Sequence, residues 1–173
     1  MKHQLEIEKK FIVKIPKDEL KLKKFLDSLE DVLYIEQIYL QKENPKDSQS
    51  ARVRKTVSLL NGSTSLEYNK KKKIEKNVSK EKEGEISNKE LLNLLKKADP
   101  EQSVLIKKRF VFKYKNQTFE LDKFIEPNHL KGLFILEIEL DNKNEKVNFP
   151  PFLDIVKEVT EDKNYNNYFL AKK

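Results

Sequence analysis

The chain has 173 residues, a formal net charge of +7 and no cysteine, which excludes disulfides and thiolate metal sites. Charged residues make up 38% and hydrophobic residues 37%, yet ten phenylalanines and six tyrosines separate it from disordered chains, which are poor in aromatics. No run approaches the roughly eighteen apolar residues of a membrane span, and the opening MKHQLEIEKKF lacks the apolar stretch of a secretory signal, so a cytoplasmic single domain over residues 1–173 is expected.

Residues Leu5 to Val13 alternate, with Leu5, Ile7 and Phe11 on one face and Glu6, Glu8 and Lys10 on the other, which is the period of a strand. Across 17–29, Leu20, Leu22, Phe25, Leu26 and Leu29 recur near helical spacing behind Pro16 and Asp18, both suited to a helix start. Strands are predicted over 34–42, 51–60, 65–73 and 78–86, with a polar loop at 43–48 and Asn61-Gly62 as a tight hairpin turn. Asn88 is expected to cap a helix through Lys97, whose face carries Leu91, Leu92, Leu94 and Leu95. Strands over 103–115 and 118–125 flank a second short turn at Asn116-Gln117, and 133–140 is a last strand. Beyond Pro150-Pro151 the tail is expected to hold one or two short helices. About eight strands joined mostly by hairpins make an α+β chain whose antiparallel sheet can close into a barrel with helices outside.

Like-sign charges stand two residues apart in these strands: Glu6/Glu8, Arg52/Arg54, Glu83/Glu85, Lys107/Arg109, Glu120/Asp122 and Glu137/Glu139. Residues i and i+2 of a strand project from the same side, so each pair is a patch of mutual repulsion. Such pairs suggest an opposite charge between them, a cation for the carboxylates and a polyanion for the bases. In a generic β-protein the apolar faces turn inward and the charges meet water. Here sign segregation and the amphipathic helices at 17–29 and 88–97, which need an apolar sheet face to cover, favour charges lining a wet lumen.

The motifs resemble the CYTH domain, the fold of the triphosphate tunnel metalloenzymes. Glu6-Ile7-Glu8-Lys9-Lys10 matches the opening ExExK, Arg52-Val53-Arg54 an RxR strand and Glu83-Gly84-Glu85 an ExE strand. Lys107-Lys108-Arg109, Glu120-Leu121-Asp122 and Glu137-Ile138-Glu139 follow in the family's order, and residues 158–167 look like the end of compact bacterial members. Lys73 takes the place of a tunnel lysine, with Lys71 as the alternate. The chain departs from the pattern at Glu81, where members often carry arginine and where Lys80 or Lys82 would substitute, and at Asn164, where near relatives carry a base.

The resemblance implies an eight-stranded antiparallel barrel whose bases grip a linear triphosphate while carboxylates hold Mg²⁺ or Mn²⁺. Lys10, Arg52, Arg54, Lys73, Lys107 and Arg109 are the expected substrate ligands. Glu6, Glu8, Glu137 and Glu139 are the expected metal ligands and catalytic groups, with Lys163 closing the tunnel mouth from the tail. Glu83, Glu85, Glu120 and Asp122 are expected to support them. The implied activity is metal-dependent hydrolysis of tripolyphosphate, as in the compact bacterial form. The same fold acting on thiamine, nucleoside or RNA triphosphate, cyclisation of ATP, and a non-catalytic polyanion-binding module stay open as alternatives. No membrane partner is expected, nucleic acid is disfavoured, and a homodimer remains open. His3 and His129 are isolated, and no Gly-rich phosphate loop occurs.

Overall fold

A computed structural model describes residues 2–45, 50–75 and 78–173, with the backbone alone for residues 2–5. The side chain of His3 and the loop beyond residue 45 therefore lie outside the described residues. The alternating segments become strands β1 (Lys2–Lys14), β2 (Leu29–Tyr39), β3 (Arg52–Ser58), β4 (Thr64–Glu75), β5 (Val78–Glu85), β6 (Leu105–Tyr114), β7 (Gln117–Glu126), β8 (Phe134–Glu139) and β9 (Asp154–Glu158). The helices are α1 (Glu19–Asp27), α2 (Asn88–Leu95) and the short α3 (Asn167–Leu170).

Neighbouring strands run in the order β5-β4-β3-β2-β6-β7-β8-β1, and β5 pairs back onto β1. Eight antiparallel strands thus close into a barrel, as the pattern predicts, and closure removes the open sheet edge. The ninth strand, β9, lies outside it and pairs with Phe11 to Lys14 of β1. It was not among the expected elements: the tail forms this strand, a 3₁₀ turn at Lys163–Tyr165 and α3.

Local chemistry fixes the ends of several elements. Asp18 caps α1 by accepting the Lys21 amide, while Ser87, one residue before the expected Asn88, caps α2 in a reciprocal box with Glu90. β2 begins at Leu29, earlier than the predicted 34, because Leu29 already pairs with Phe112 of β6. In the β3–β4 turn only Gly62 of the expected Asn61-Gly62 pair has positive φ, at 73°. The β6–β7 turn falls one residue before Asn116-Gln117, since Lys115 and Asn116 carry φ of 47° and 63°, the two left-handed positions of a tight hairpin.

Two apolar clusters lie on the outside of the barrel wall. Phe112, Phe119, Leu121, Leu136 and Ile138 turn outward and pack with Phe25 of α1 and Phe152. Phe110 and Tyr114 join the same layer. Full burial of such a side chain contributes about 1.5–3 kcal/mol. Val53, Ile38 and Tyr68 are covered by Leu91, Leu94 and Leu95 of α2.

A third cluster occupies the barrel interior. Leu105, Phe124 and Ile135 share strand faces with Lys107, Asp122 and Glu137, and they meet Tyr39, Leu130, Tyr168 and Leu170. This apolar floor was no part of the expected charged, wet lumen. One end of the barrel is dry and sealed by the tail.

Candidate active site

Above this floor lies a cavity of about 530 Å³ lined almost entirely by polar side chains. Every strand from β1 to β8 has residues facing inward, because their period of two is locked by the closed register. Glu6, Glu8, Lys10, Arg52, Arg54, Glu83, Arg109, Glu120, Glu137 and Glu139 line it, together with Lys71, Glu81, Asn166 and Asn167. The pairs Glu6/Glu8, Arg52/Arg54 and Glu137/Glu139 therefore converge whole on one lumen, while Glu83, Arg109 and Glu120 reach it without Glu85, Lys107 and Asp122. Their charges alternate across it.

On one wall, the Lys71 ammonium stands 2.8 Å from Glu6, 2.8 Å from Glu8 and 3.1 Å from Glu81. Burial opposes its charge, but the three carboxylates raise its pKa well above that of an ordinary lysine. Burial pushes Glu6 up to about 7, with Glu81 adding to the push and Lys71 working against it. Glu81 also accepts the Asn69 side-chain amide at 2.7 Å; burial alone would raise it, but Lys71 and Arg52 hold it low.

On the adjoining wall, which shares β1 with the first, Glu137 lies 3.0 Å from Lys10 and 2.7 Å from Arg109. Burial would raise its carboxyl, yet Lys10, Arg109 and Lys107 keep it well below the usual range. Arg109 also grips Asp122 through two bonds of 2.7 and 2.8 Å and bonds Glu120. A forked guanidinium is suited to holding several carboxylates in fixed orientation.

At two places the pairing is incomplete. The Nε atoms of Arg52 and Arg54 are buried with no hydrogen-bond partner, although Arg54 donates through Nη2 to Gln37 at 3.3 Å. Burial, then Arg52 and Arg109, push Arg54 down to about 10, against the pull of Glu67 and Glu120. Glu139 is exposed at the open mouth, directly across from Glu8 in the β1–β8 register. Its carboxyl is raised by burial and by Glu120, Glu8 and Glu81, and among the described residues no base forms an ion pair with it.

The other expected residues lie apart from this cavity. Lys107 is fully buried beneath it, paired with Asp122 and 5.7 Å from the Phe124 ring. Burial and Arg109 lower it to about 8, against the pull of Asp122. It belongs to the boundary between lumen and floor. Lys73 lies one strand period beyond Lys71, at the bulge where β4–β5 pairing shifts, and pairs with Glu161 at 2.8 Å. The alternate, Lys71, is the one inside. Lys163 lines a separate side pocket with Lys73, and Glu85 is exposed past the lining. Lys80 and Lys82 point to solvent, as does His129.

The sequence marks Lys71 only as an alternate and does not mark Glu81, Asn166 and Asn167 as site residues, nor Gln37 as the acceptor for Arg54. Glu81 had a signal, since it stands two residues before Glu83 on the same strand face. Asn167 falls within the tail motif at 158–167, whereas Asn166 carries no local signal, because the tail reaches the lumen only through the tertiary fold.

Comparisons agree with this geometry. The CYTH domain model matches residues 4–165. The inorganic triphosphatase NE1496 is 27% identical over 96% of this chain and 93% of its own, with a TM-score of 0.53. PH1819 from Pyrococcus horikoshii OT3 is 21% identical over 80% of each chain, with a TM-score of 0.54. HpAC1 from Hippeastrum, described as having a dominant triphosphatase activity, is 16% identical over 79% of this chain and 80% of its own, with a TM-score of 0.51; these last two likenesses concern the fold. No curated protein matches significantly in sequence. Among the described residues no helix is long and apolar enough to cross a membrane. A closed eight-stranded barrel with alternating charges inside, matched to the CYTH model over nearly its whole length, places this chain in the CYTH family.

Proposed function

We propose that the protein is a divalent-metal-dependent hydrolase that cleaves inorganic tripolyphosphate in the barrel lumen. The observation that carries this reading is the pair Arg52 and Arg54, whose buried Nε donors have no partner; burial, and then the Arg52 charge, depress Arg54. A buried donor without an acceptor is costly, and a polyanion between the two guanidiniums would satisfy both. The likeness to an inorganic triphosphatase at 27% identity supports the same substrate class.

The carboxylates fit a hard cation. Among the described residues no three acidic or histidine side chains form a ready cage; Mg²⁺ is usually held by one or two carboxylates plus substrate phosphates. Glu139, Glu137 and Glu8 are the residues that would hold Mg²⁺ or Mn²⁺, with Glu6 beyond Lys71. The bound ion supplies charge neutralisation on the phosphate oxygens and a polarised water. The chain's own part is orientation. Arg52, Arg54 and Lys10 hold the phosphate chain, while Arg109 and Asp122 keep Glu137 aimed into the lumen. Water adds to a terminal phosphorus, one P–O–P bond breaks, and its bridging oxygen leaves with pyrophosphate as a proton passes to solvent at the mouth. Such a transfer needs positioning and electrostatic help more than covalent participation.

An organic triphosphate is the second reading, since HpAC1 shares the fold. Against it, no aromatic side chain among the described residues lines the cavity, and a nucleobase or thiazole ring gains most from an aromatic platform. A passive polyanion-binding module leaves the exposed Glu139 and its acidic neighbours unexplained. Phosphate release from tripolyphosphate, ATP, thiamine triphosphate and pyrophosphate, with Mg²⁺, Mn²⁺ or chelator, tests all three. Metal-dependent turnover of tripolyphosphate above the others is expected; binding without turnover on any of them would overturn the hydrolase.

A further inference from the structure

The barrel wall is incomplete along β1. β5 pairs with Lys2 to Ile7, and β9 takes over only at Phe11. Between them Lys10 is held by the tail instead of a strand: its amide donates to Thr160 Oγ1 at 3.0 Å and its carbonyl accepts from Val159 at 2.8 Å. Opposite this gap, β4–β5 pairing shifts beyond Lys73. The result is a side pocket of about 210 Å³. Glu8, Lys10, Lys71 and Asn166 line both this pocket and the lumen, so these side chains are a shared partition.

The two openings differ in sign. The main mouth carries Glu83, Glu120, Glu139, Asp141 and Glu145. The side pocket carries Lys10, Lys71, Lys73 and Lys163 against Glu8, Glu161 and Asp162, with Ser79 and Thr160 as further polar groups. Lys10, Lys71 and Lys73 are already paired with carboxylates, and among the described residues Lys163 forms no ion pair, so a small dianion leaving the lumen meets carboxylates at the mouth and the Lys163 ammonium at the side. Fields of fixed charge in a narrow passage bias the path of an ion. The outer lip carries the Lys73–Glu161 pair, 53% and 39% exposed, and an exposed pair does little to hold a passage shut.

We propose that this side pocket is a second anion site that receives inorganic orthophosphate and serves as its exit from the lumen. The exit role rests on the hydrolase reading; the binding site does not. Because the chain has no cysteine, Glu161→Cys gives a single thiol at the outer lip, and Lys23→Cys on the exposed face of α1 is the control. Orthophosphate should slow maleimide labelling of Glu161→Cys by about threefold or more near saturation, leave Lys23→Cys unchanged, and lose its effect when Lys163→Ala is added.

With tripolyphosphate, labelled and unlabelled Glu161→Cys should form pyrophosphate at similar rates in rapid-quench experiments. Free orthophosphate, followed with a fluorescent sensor, should lag behind cleavage in the labelled form, by about tenfold with a bulky maleimide, because release is a step separate from chemistry. Absence of protection by orthophosphate removes the anion site, whether or not the enzyme turns over. Protection with no lag removes the exit. Failure of the unlabelled protein to cleave tripolyphosphate overturns the hydrolase reading and the exit with it, and the protection result still decides the site.

Discussion

The interior of this barrel is two environments built on the same strand faces. On β6 the inward face runs Leu105, Lys107, Arg109; on β8 it runs Ile135, Glu137, Glu139. At one end these residues make a dry floor sealed by Tyr168 and Leu170, and at the other a wet, charged slot. Lys107 and Asp122 stand at the boundary, both fully buried. The difference teaches that folding and function are divided along the barrel axis. The floor and the outer clusters supply apolar burial, so the lumen can carry charges that a continuous core would not tolerate.

That division can be broken most severely at the boundary. Asp122→Ala strands Lys107 and half of the Arg109 bonding, and should cost about 3–5 kcal/mol in urea unfolding, as for other buried pairs deprived of one partner. Phe124→Ala in the floor should cost a similar amount, about 3–5 kcal/mol, while turnover below the unfolding transition falls far less than stability does. A floor variant that kept stability but lost activity would contradict the separation.

Within the slot the effects should fall on catalysis and binding. Glu137→Gln keeps the shape but removes the charge that holds Lys10 and Arg109, and kcat on tripolyphosphate should drop by about 10²–10³, as when one electrostatic group is lost from an active site. Arg54→Ala should act mainly on KM. It should also reduce the thermal shift from saturating ligand, which by mass action corresponds to about 2.7 kcal/mol at a hundredfold excess over Kd.

The boundary also carries a pH dependence. Lys107 is lowered to about 8 in the fold from 10.5, so between these values the unfolded chain binds more protons than the folded one. Stability should therefore rise with pH across that window, and the penalty is fully present below pH 8. Lys107→Met should flatten this part of the stability curve in denaturant titrations. A slope unchanged by the substitution would remove Lys107 as its source.

Much of this arrangement was legible in the residues. The alternation in 5–13, 103–115 and 133–140 gave strands, and the like-charge pairs gave a face that needed counter-charge. Glu6, Glu8, Lys10, Arg52, Arg54, Arg109, Glu137 and Glu139 do share one cavity. The misplaced residues share a cause. Lys71 and Lys73 have the same strand parity, so no local pattern distinguishes the one inside the lumen from the one that meets Glu161 beyond the bulge. Lys107 has the parity of a lumen residue but sits at the depth of the floor.

The amino-acid order by itself determined which side chains share a face, because the period of a strand is local and survives any packing. It did not determine depth along the barrel, the partner of each base, or the route by which the tail brings Asn166, Asn167 and Lys163 against the opening beside β1. Those follow from register and closure, which depend on pairings between residues far apart in the chain. Only the closed barrel could decide that Lys71 lies among three carboxylates while the Nε donors of Arg52 and Arg54 are left without an acceptor.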